Sequence, residues 1–414
     1  MTKRVLVLGA GAAGMLAAGM AARGGSLVTL LERNDRVGKK LRITGKGRCN
    51  VTNNCDTAAF IAAVPQNGRF LYSAAAAFSP QDTMAFFESL HVPLKTERGN
   101  RVFPQSEKAS DIVKALEGFC LDNGVELINA RAKKLLIKEG RIAGVLAGDG
   151  REFLADSVVV ACGGKSYPMT GSTGDGYTLA SEAGHTITPI RPSLVPLISA
   201  ESWCRELQGL SLRNVAVKLL DTQKKKTVYE DFGELLFTHF GLSGPVILSA
   251  SAHMRDMSPG RYQIAIDLKP ALSPEQLDRR VQRDFQKNQN RNFENALSEL
   301  LPRKLIPVAV RLSGIAGTCK CNQLTKEMRR DFVSLLKSLK VTIEGFRPID
   351  EAIVTCGGVS VKEINPKTME SKKVKGLYFA GEVIDVDAYT GGFNLQIAFS
   401  TGYLAGNHAS KGEE

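Results

Sequence analysis

The feature that most constrains this chain is its beginning, RVLVLGAGAAGMLAAGMAARGGSLVTLLER, residues 4 to 33. It reads as strand, tight turn, helix, strand. Gly9, Gly11 and Gly14 fit G-x-G-x-x-G directly after a β-branched and leucine-rich strand. Gly9 allows the turn, Gly11 lets a pyrophosphate approach the backbone, and Gly14 lets the helix pack close to the strand. The amides that open the helix, at Ala12 and Ala13, point their positive end at the phosphates. Glu32 closes the second strand, where its carboxylate can accept hydrogen bonds from a ribose diol, and Arg33 follows it as a further cofactor contact. Lys3 and Arg4 before an apolar run also have the outline of a secretory signal. Glycines interrupt that run at the motif spacing, however, and a strand follows directly, so the segment is read as a folded dinucleotide-binding unit.

The motif alone leaves NAD and FAD open. The next stretch, GKKLRITGKGRCNVTNN, is dense in glycine, basic residues, asparagine and threonine and lacks apolar rhythm, so it is not expected to build a core. In Gly38, Lys40, Thr44, Gly45, Gly47, Arg48, Cys49, Asn50 and Thr52 it resembles the HI0933-like (YhiN- or BaiN-like) flavoproteins. The resemblance implies bound FAD, with this loop lying along it and Lys40, Thr44, Gly47, Arg48, Cys49 and Asn50 in contact.

The resemblance also implies a fold: α/β, with a discontinuous Rossmann-like FAD domain of the glutathione-reductase type and an inserted β-barrel domain carrying a helical subdomain. Later segments should then return to the cofactor. The turn signals Glu139-Gly140 and Gly148-Asp149-Gly150 suggest a small meander, preceded by an amphipathic helix with Ile112, Ala115, Leu116, Phe119 and Cys120 at helical spacing. In the family, Ala132 would touch adenine. VVVACGG would end beside the cofactor at Ala161 and Gly163. In GLYFAGEVIDVDAYTGGFNLQIAF, the resemblance puts Gly381, Glu382 and Asp385 at the ribityl and phosphate groups. Gly392, Phe393, Asn394, Leu395 and Gln396 would lead into a last helix facing the pyrimidine edge of the flavin, where a positive helix end stabilises charge on the reduced ring.

The middle of the chain has another texture. Short strand-like runs alternate with turns over residues 194–268, and residues 273–340 read as helical from Ser273-Pro274-Glu275, an N-cap followed by proline. The expected division is 1–191 for the first part of the FAD domain, 192–272 for the barrel and 273–340 for the helical subdomain. Residues 341–352 form the return and 353–414 the rest of the FAD domain. FGLSGP and SGIAGT do not fit a second G-x-G-x-x-G, so a nicotinamide domain of the disulfide-reductase type is not expected. The formal charge is +12, and residues 269–347 hold 16 Lys and Arg against 8 Asp and Glu. A solvated helical face, an anion-steering rim and a nucleic-acid surface are the alternatives; Phe285, Phe293, Phe332 and Phe346 read as core rather than as base-stacking positions.

These readings point to an FAD-dependent oxidoreductase that moves hydride between flavin and a small organic substrate, an anionic one being an alternative, in a cleft between the FAD domain and the insert. The family resemblance implies an NAD(P)H-dependent reductase of unsaturated ketones, BaiN-like; an FAD-dependent amine oxidase and a tRNA-modifying flavoprotein are the alternatives. His239, Arg48 and Tyr389 are the residues expected to act on substrate, His239 through its titration range. Eight scattered cysteines without a Cys-x-x-Cys pair fit a reduced cytoplasmic protein without a metal site. Cys49 and Cys55 are spaced unlike a flavin-linked redox dithiol, and Cys55 reads as part of a surface turn. No window is apolar for long enough to cross a bilayer.

Overall fold

The computed structural model describes residues 2–411. The chain folds as two compact units, one of Met1–Ser193 with Pro348–Glu414 and one of Leu194–Arg347. These breaks fall at 193/194 and 347/348, against the expected 191/192 and 352/353.

The first unit is organised by β1 (Arg4–Leu8), α1 (Ala12–Arg23), β2 (Leu27–Glu32), β3 (Glu126–Asn129), β4 (Ser157–Val160) and β5 (Leu377–Phe379). The strands form one sheet in the order β5-β4-β1-β2-β3, and every pairing is parallel. Val5, Leu6, Val7 and Leu8 are no more than 2% exposed, as expected for strands covered on both faces. Leu8 sits opposite both Leu31 and Val160, so Gly9, Glu32 and Ala161 emerge together at the carboxyl edge of the sheet. Ligands of open α/β sheets bind at that edge.

The small residues of α1 have a packing reason. A Cβ on Gly402 or Gly406 of α2 (Phe393–Ser410) would lie 2.4 or 2.3 Å from a carbonyl oxygen of α1, that of Ala13 or Ala17. The two helices therefore approach backbone to backbone, and the late segment is locked onto the first glycine turn. The meander is present as Ala132–Lys138, Arg141–Ala147 and Glu152–Leu154, reversing at Glu139 and Gly140 with φ of 48° and 72°, the sign pattern of a hairpin turn. The amphipathic helix spans Ala109–Asp122 and buries Ile112, Leu116, Phe119 and Cys120. Arg191–Ser193 pairs antiparallel with Val354–Cys356, so the strands that leave and re-enter this unit lie side by side.

The second unit is a closed barrel. Around it run Leu197–Ser199, Gly241–Ser243, Lys226–Phe237, Ser211–Asp221, Tyr262–Asp267 and Leu339–Phe346. Helices Pro274–Lys287, Phe293–Ala296, Ile306–Ser313 and Lys326–Lys337 come between its last two strands. Ser273 makes the expected cap, accepting from the Gln276 amide while Gln276 reaches back. Phe285, Phe293 and Phe332 are core residues packed edge to face, with centroids 5.8 and 5.2 Å apart. The closing barrel strand already begins at Leu339, so the helical segment ends earlier than residue 340. Among the described residues, no helix is long and apolar enough to cross a membrane.

Candidate functional site

The three motif glycines are held by different demands. Gly9 has φ +99°, and a Cβ there would lie 2.8 Å from the Ala161 oxygen. On Gly14 a Cβ would fall 1.9 Å from the Gly9 oxygen. Both are required by the protein itself. Gly11 is not: its φ of −87° suits any residue, and a Cβ there meets nothing within 4 Å. No contact within the polypeptide demands that glycine; beyond its modest preference as an N-cap, a pyrophosphate approaching the backbone accounts for it. No side chain caps the start of α1, so the amides of Ala12 and Ala13 are available to an anion.

Glu32 is 8% exposed beside this turn. Its Oε2 accepts from the Ala10 amide at 2.8 Å, and its Oε1 accepts from the Asn34 backbone and side-chain nitrogens at 2.8 and 2.7 Å. A carboxylate has about four acceptor sites, so one stays open for a ribose hydroxyl. Asn34 gave no signal in the sequence; it orients this acid. Arg33 turns elsewhere, donating to Thr173 Oγ1 and Asp175 Oδ2 at 2.7 and 3.0 Å, while Arg131 grips the same Asp175 with two hydrogen bonds. Burial pushes the Asp175 carboxyl up, and hydrogen bonds from Arg131 and Thr173 outweigh it, so the group stays below its usual range. Ala132, half-buried, opens the meander next to Arg131.

The loop from Gly38 to Asn54 enters the core more than expected: Cys49, Val51 and Thr52 are 0% exposed and Asn53 is 5% exposed. An exposed run at Gly45, Lys46 and Gly47 is followed by the buried residues, so neither a helix nor a strand period marks them. Its exposed part is a left-handed turn, with φ of 56°, 60° and 84° at Gly45, Lys46 and Gly47. Thr44 Oγ1 donates to the Leu41 carbonyl at 2.7 Å. Burial pushes the Cys49 thiol up to about 12 and also raises that of Cys55; both thiols are free. A thiol so disinclined to ionise is a poor redox partner. Asn50 has a buried side-chain oxygen with no hydrogen-bond partner, which calls for a ligand group.

Arg48 differs from its expected role. Its guanidinium pairs with Glu97 and Glu107 and lies 4.1 Å over the Phe103 ring. Two carboxylates already take up its charge, so it organises the hairpin rather than presenting a free cation. Lys40 and Glu382 are likewise joined to each other, Nζ to Oε2 at 2.6 Å. The second Glu382 oxygen accepts from the Thr355 amide at 2.9 Å and from Ser166 at 3.1 Å. Ser166 and Thr355, absent from the sequence reading, stitch four distant segments together here.

At the C-terminal segment, Gly381 has φ +75° and approaches the Ala13 side chain. Gly163, at φ +74°, lies against Ser172. Asp385 is 5% exposed and accepts from Asn67 Nδ2 with both its carbonyl and its carboxylate. Gly392, at φ +100°, sits so close to Thr52 that a Cβ would lie 2.3 Å from its carbonyl oxygen. No side chain caps α2, which leaves the amides of Phe393, Asn394 and Leu395 facing out of the helix start. Asn394 spends its side chain on Ala388, accepting from its amide and donating to its carbonyl. The Gln396 side chain is no cofactor contact. It is 0% exposed and is used up by Thr52, Phe78 and Ser400.

Tyr389 is half-buried just before α2, and its amide donates to Ala63. His239 belongs to the barrel unit, exposed and in edge contact with Phe240 at 4.9 Å. Among the described residues, no group of His, Cys, Asp and Glu could hold a metal ion. Two uncapped helix starts, a glycine with open space where its Cβ would be, an open acceptor on Glu32 and the unpartnered Asn50 oxygen fit an elongated dinucleotide with a flavin at one end.

The fold and site define a flavin-dependent oxidoreductase with a Rossmann-like FAD domain. The model of the HI0933-like protein Rossmann domain matches residues 3–408, and the chain belongs to that family. It is 33% identical over 416 residues to a 3-dehydro-bile acid delta(4,6)-reductase of Clostridium scindens, covering 99% of each chain. To a ribosomal RNA dihydrouridine synthase of Escherichia coli it is 31% identical over 399 residues, covering 96% of each. A solved 3-ketosteroid delta1-dehydrogenase of Sterolibacterium denitrificans shares the fold at 14% identity and a TM-score of 0.53, covering 99% of this chain and 100% of that one.

Proposed function

We propose that the protein reduces a carbon–carbon double bond conjugated to a carbonyl, and that the bond belongs to a uracil ring in RNA. The two relatives act on unlike molecules, yet both names imply one bond change: saturation of an alkene next to a carbonyl, in a dienone or in uracil. Held by the first glycine turn, Glu32 and the start of α2, FAD would, once reduced, supply a hydride to the carbon β to the carbonyl, with NAD(P)H as the proposed source of electrons. The α carbon takes a proton. Tyr389 and His239 are the proposed donors or carbonyl-polarising groups; Arg48 is not, because Glu97 and Glu107 hold it.

The observation that favours RNA over a small ketone is the charge of the insert. Its helices expose Arg279, Arg283, Lys287, Lys326 and Arg330, and the turns between them Arg291, Arg303 and Lys304, and a polyanion is the partner such a surface attracts most. The 33% identity to the bile-acid enzyme supports a steroid enone as the second reading. Incubating the holoprotein anaerobically with NADPH or NADH and either unmodified ribosomal RNA or a 3-oxo-4-ene steroid separates them. The proposal expects uridine to gain two hydrogens, read by nucleoside mass spectrometry. Turnover of the steroid with none of the RNA would replace it with the second reading, and oxidation of an amine in place of either reduction would overturn both.

A further inference from the structure

We infer that the outer face of the barrel between the Ser211–Asp221 hairpin and the helical insert is a track for the phosphodiester backbone of RNA, ending in a triple-lysine tip. The inference rests on the RNA reading above and adds where the strand lies. The hairpin of Ser211–Asp221 and Lys226–Phe237 reverses through Thr222, Gln223, Lys224 and Lys225. Lys224, Lys225 and Lys226 are consecutive and all exposed, an arrangement that repels itself unless something negative approaches.

The turn is nonetheless anchored firmly. Asp221 is 2% exposed and accepts from the Gln223 and Lys224 amides at 3.1 and 3.0 Å. Arg261 pairs with it at 3.0 Å, and the Thr222 hydroxyl donates to the Arg261 carbonyl at 2.8 Å. The Lys224 amide and then the Arg261 guanidinium hold the Asp221 carboxyl below its ordinary range, so the anchor stays charged through the physiological range. A buried acid is spent on holding three lysines outward in one place.

Strand register carries the charge from this tip along the barrel. Lys218 faces Ala265, and Ala265 faces Lys340, so the two lysines flank an alanine across three adjacent strands, about 10 Å apart at the usual strand spacing. Both are exposed, and Ala265 between them is 8% exposed. One row nearer the tip lie Leu220, Gln263 and Thr342, which are uncharged. At the far end Lys337 pairs with Asp267, beside the basic helices. The carboxylates near this face are Glu230, paired with Lys218, Asp267, paired with Lys337, Glu344, Glu201, which accepts from the Thr342 amide, and Asp256 beside Arg261 at the tip; against them stand Lys218, Lys224, Lys225, Lys226, Lys337 and Lys340. A shallow uncharged floor between lysines suits a flexible phosphate chain better than a compact acidic protein.

The test is the salt dependence of holoprotein binding to a uridine-containing single-stranded RNA. Each phosphate contact contributes about 0.7 to the slope of log K against log salt, so K224Q/K225Q/K226Q should lower the slope by about 2. K218Q/K340Q should lower it by about 1.4, while K224R/K225R/K226R should keep it. Flavin content and melting temperature serve as controls of folding. Wild-type binding whose slope the lysine-to-glutamine variants leave unchanged would overturn the track and leave the RNA reading standing. Wild-type protein that does not bind RNA at all would overturn both.

Discussion

Replacing Gly11 with alanine isolates the ligand's demand from the protein's. The position has an ordinary φ and open space around the missing Cβ, so the cofactor-free fold should accept a methyl group. Alanine is a poorer N-cap than glycine by about 0.5–1 kcal/mol, while reduced freedom of the unfolded chain returns about 0.4–1 kcal/mol. The two nearly cancel, and the apoprotein's stability should change by less than about 1 kcal/mol. The same methyl group projects to where a pyrophosphate must approach. Crowding of that kind costs about 1–3 kcal/mol, which weakens FAD about 5- to 150-fold. Thermal melting of the apoprotein and an FAD fluorescence titration read the two quantities separately. Gly14→Ala, whose methyl would lie 1.9 Å from the Gly9 oxygen, should instead fail to give a stable fold. If Gly11→Ala binds FAD as tightly as the parent, or melts like a core mutant, the argument from that glycine is wrong.

Lys40→Met should destabilise the protein by about 1–3 kcal/mol by leaving the Glu382 carboxylate without its cation; adding Glu382→Gln should recover part of the loss in a double-mutant cycle. Cys49 should resist thiol reagents in the native protein, because burial holds its thiol at about 12, and Cys55→Ser should keep full flavin reduction. Rapid labelling of Cys49, or loss of flavin reduction in Cys55→Ser, would restore the dithiol. Burial lowers His253 from 6.5 to about 4. Its contribution to stability is therefore complete above pH 6.5 and lost as pH falls toward about 4. At about 1.4 kcal/mol per unit, the ceiling is about 3 kcal/mol, and residual solvent contact lowers it. Denaturant titrations across that range should show the stability of the parent relative to His253→Phe falling by up to that ceiling as pH is lowered; parallel curves would refute the assignment.

The sequence made the first βαβ unit readable because its glycines, strand and terminal acid are adjacent. The Ser273 cap and the apolar spacing of the 109–122 helix were readable for the same reason, since local rules govern both. What it could not show is how polar side chains share one another. Lys40 and Glu382 looked like two separate cofactor contacts, but they lie 342 residues apart and satisfy each other. Gln396 sits in a motif-like run, yet Thr52, Phe78 and Ser400 consume it. Arg48 looked like a free cation because Glu97 and Glu107 lie on a hairpin with no signature of its own. The 38–54 loop lacks periodicity because its buried residues answer to the hairpin and to the start of α2 instead of to a helix or sheet face.

The most direct measurement is of the cofactor itself, by visible spectrum and by chromatography of what heat releases from the purified protein. The account predicts a yellow protein that releases FAD at one per chain, with Gly11→Ala largely colourless until FAD is added in excess. A colourless parent protein that takes up no added FAD would contradict it.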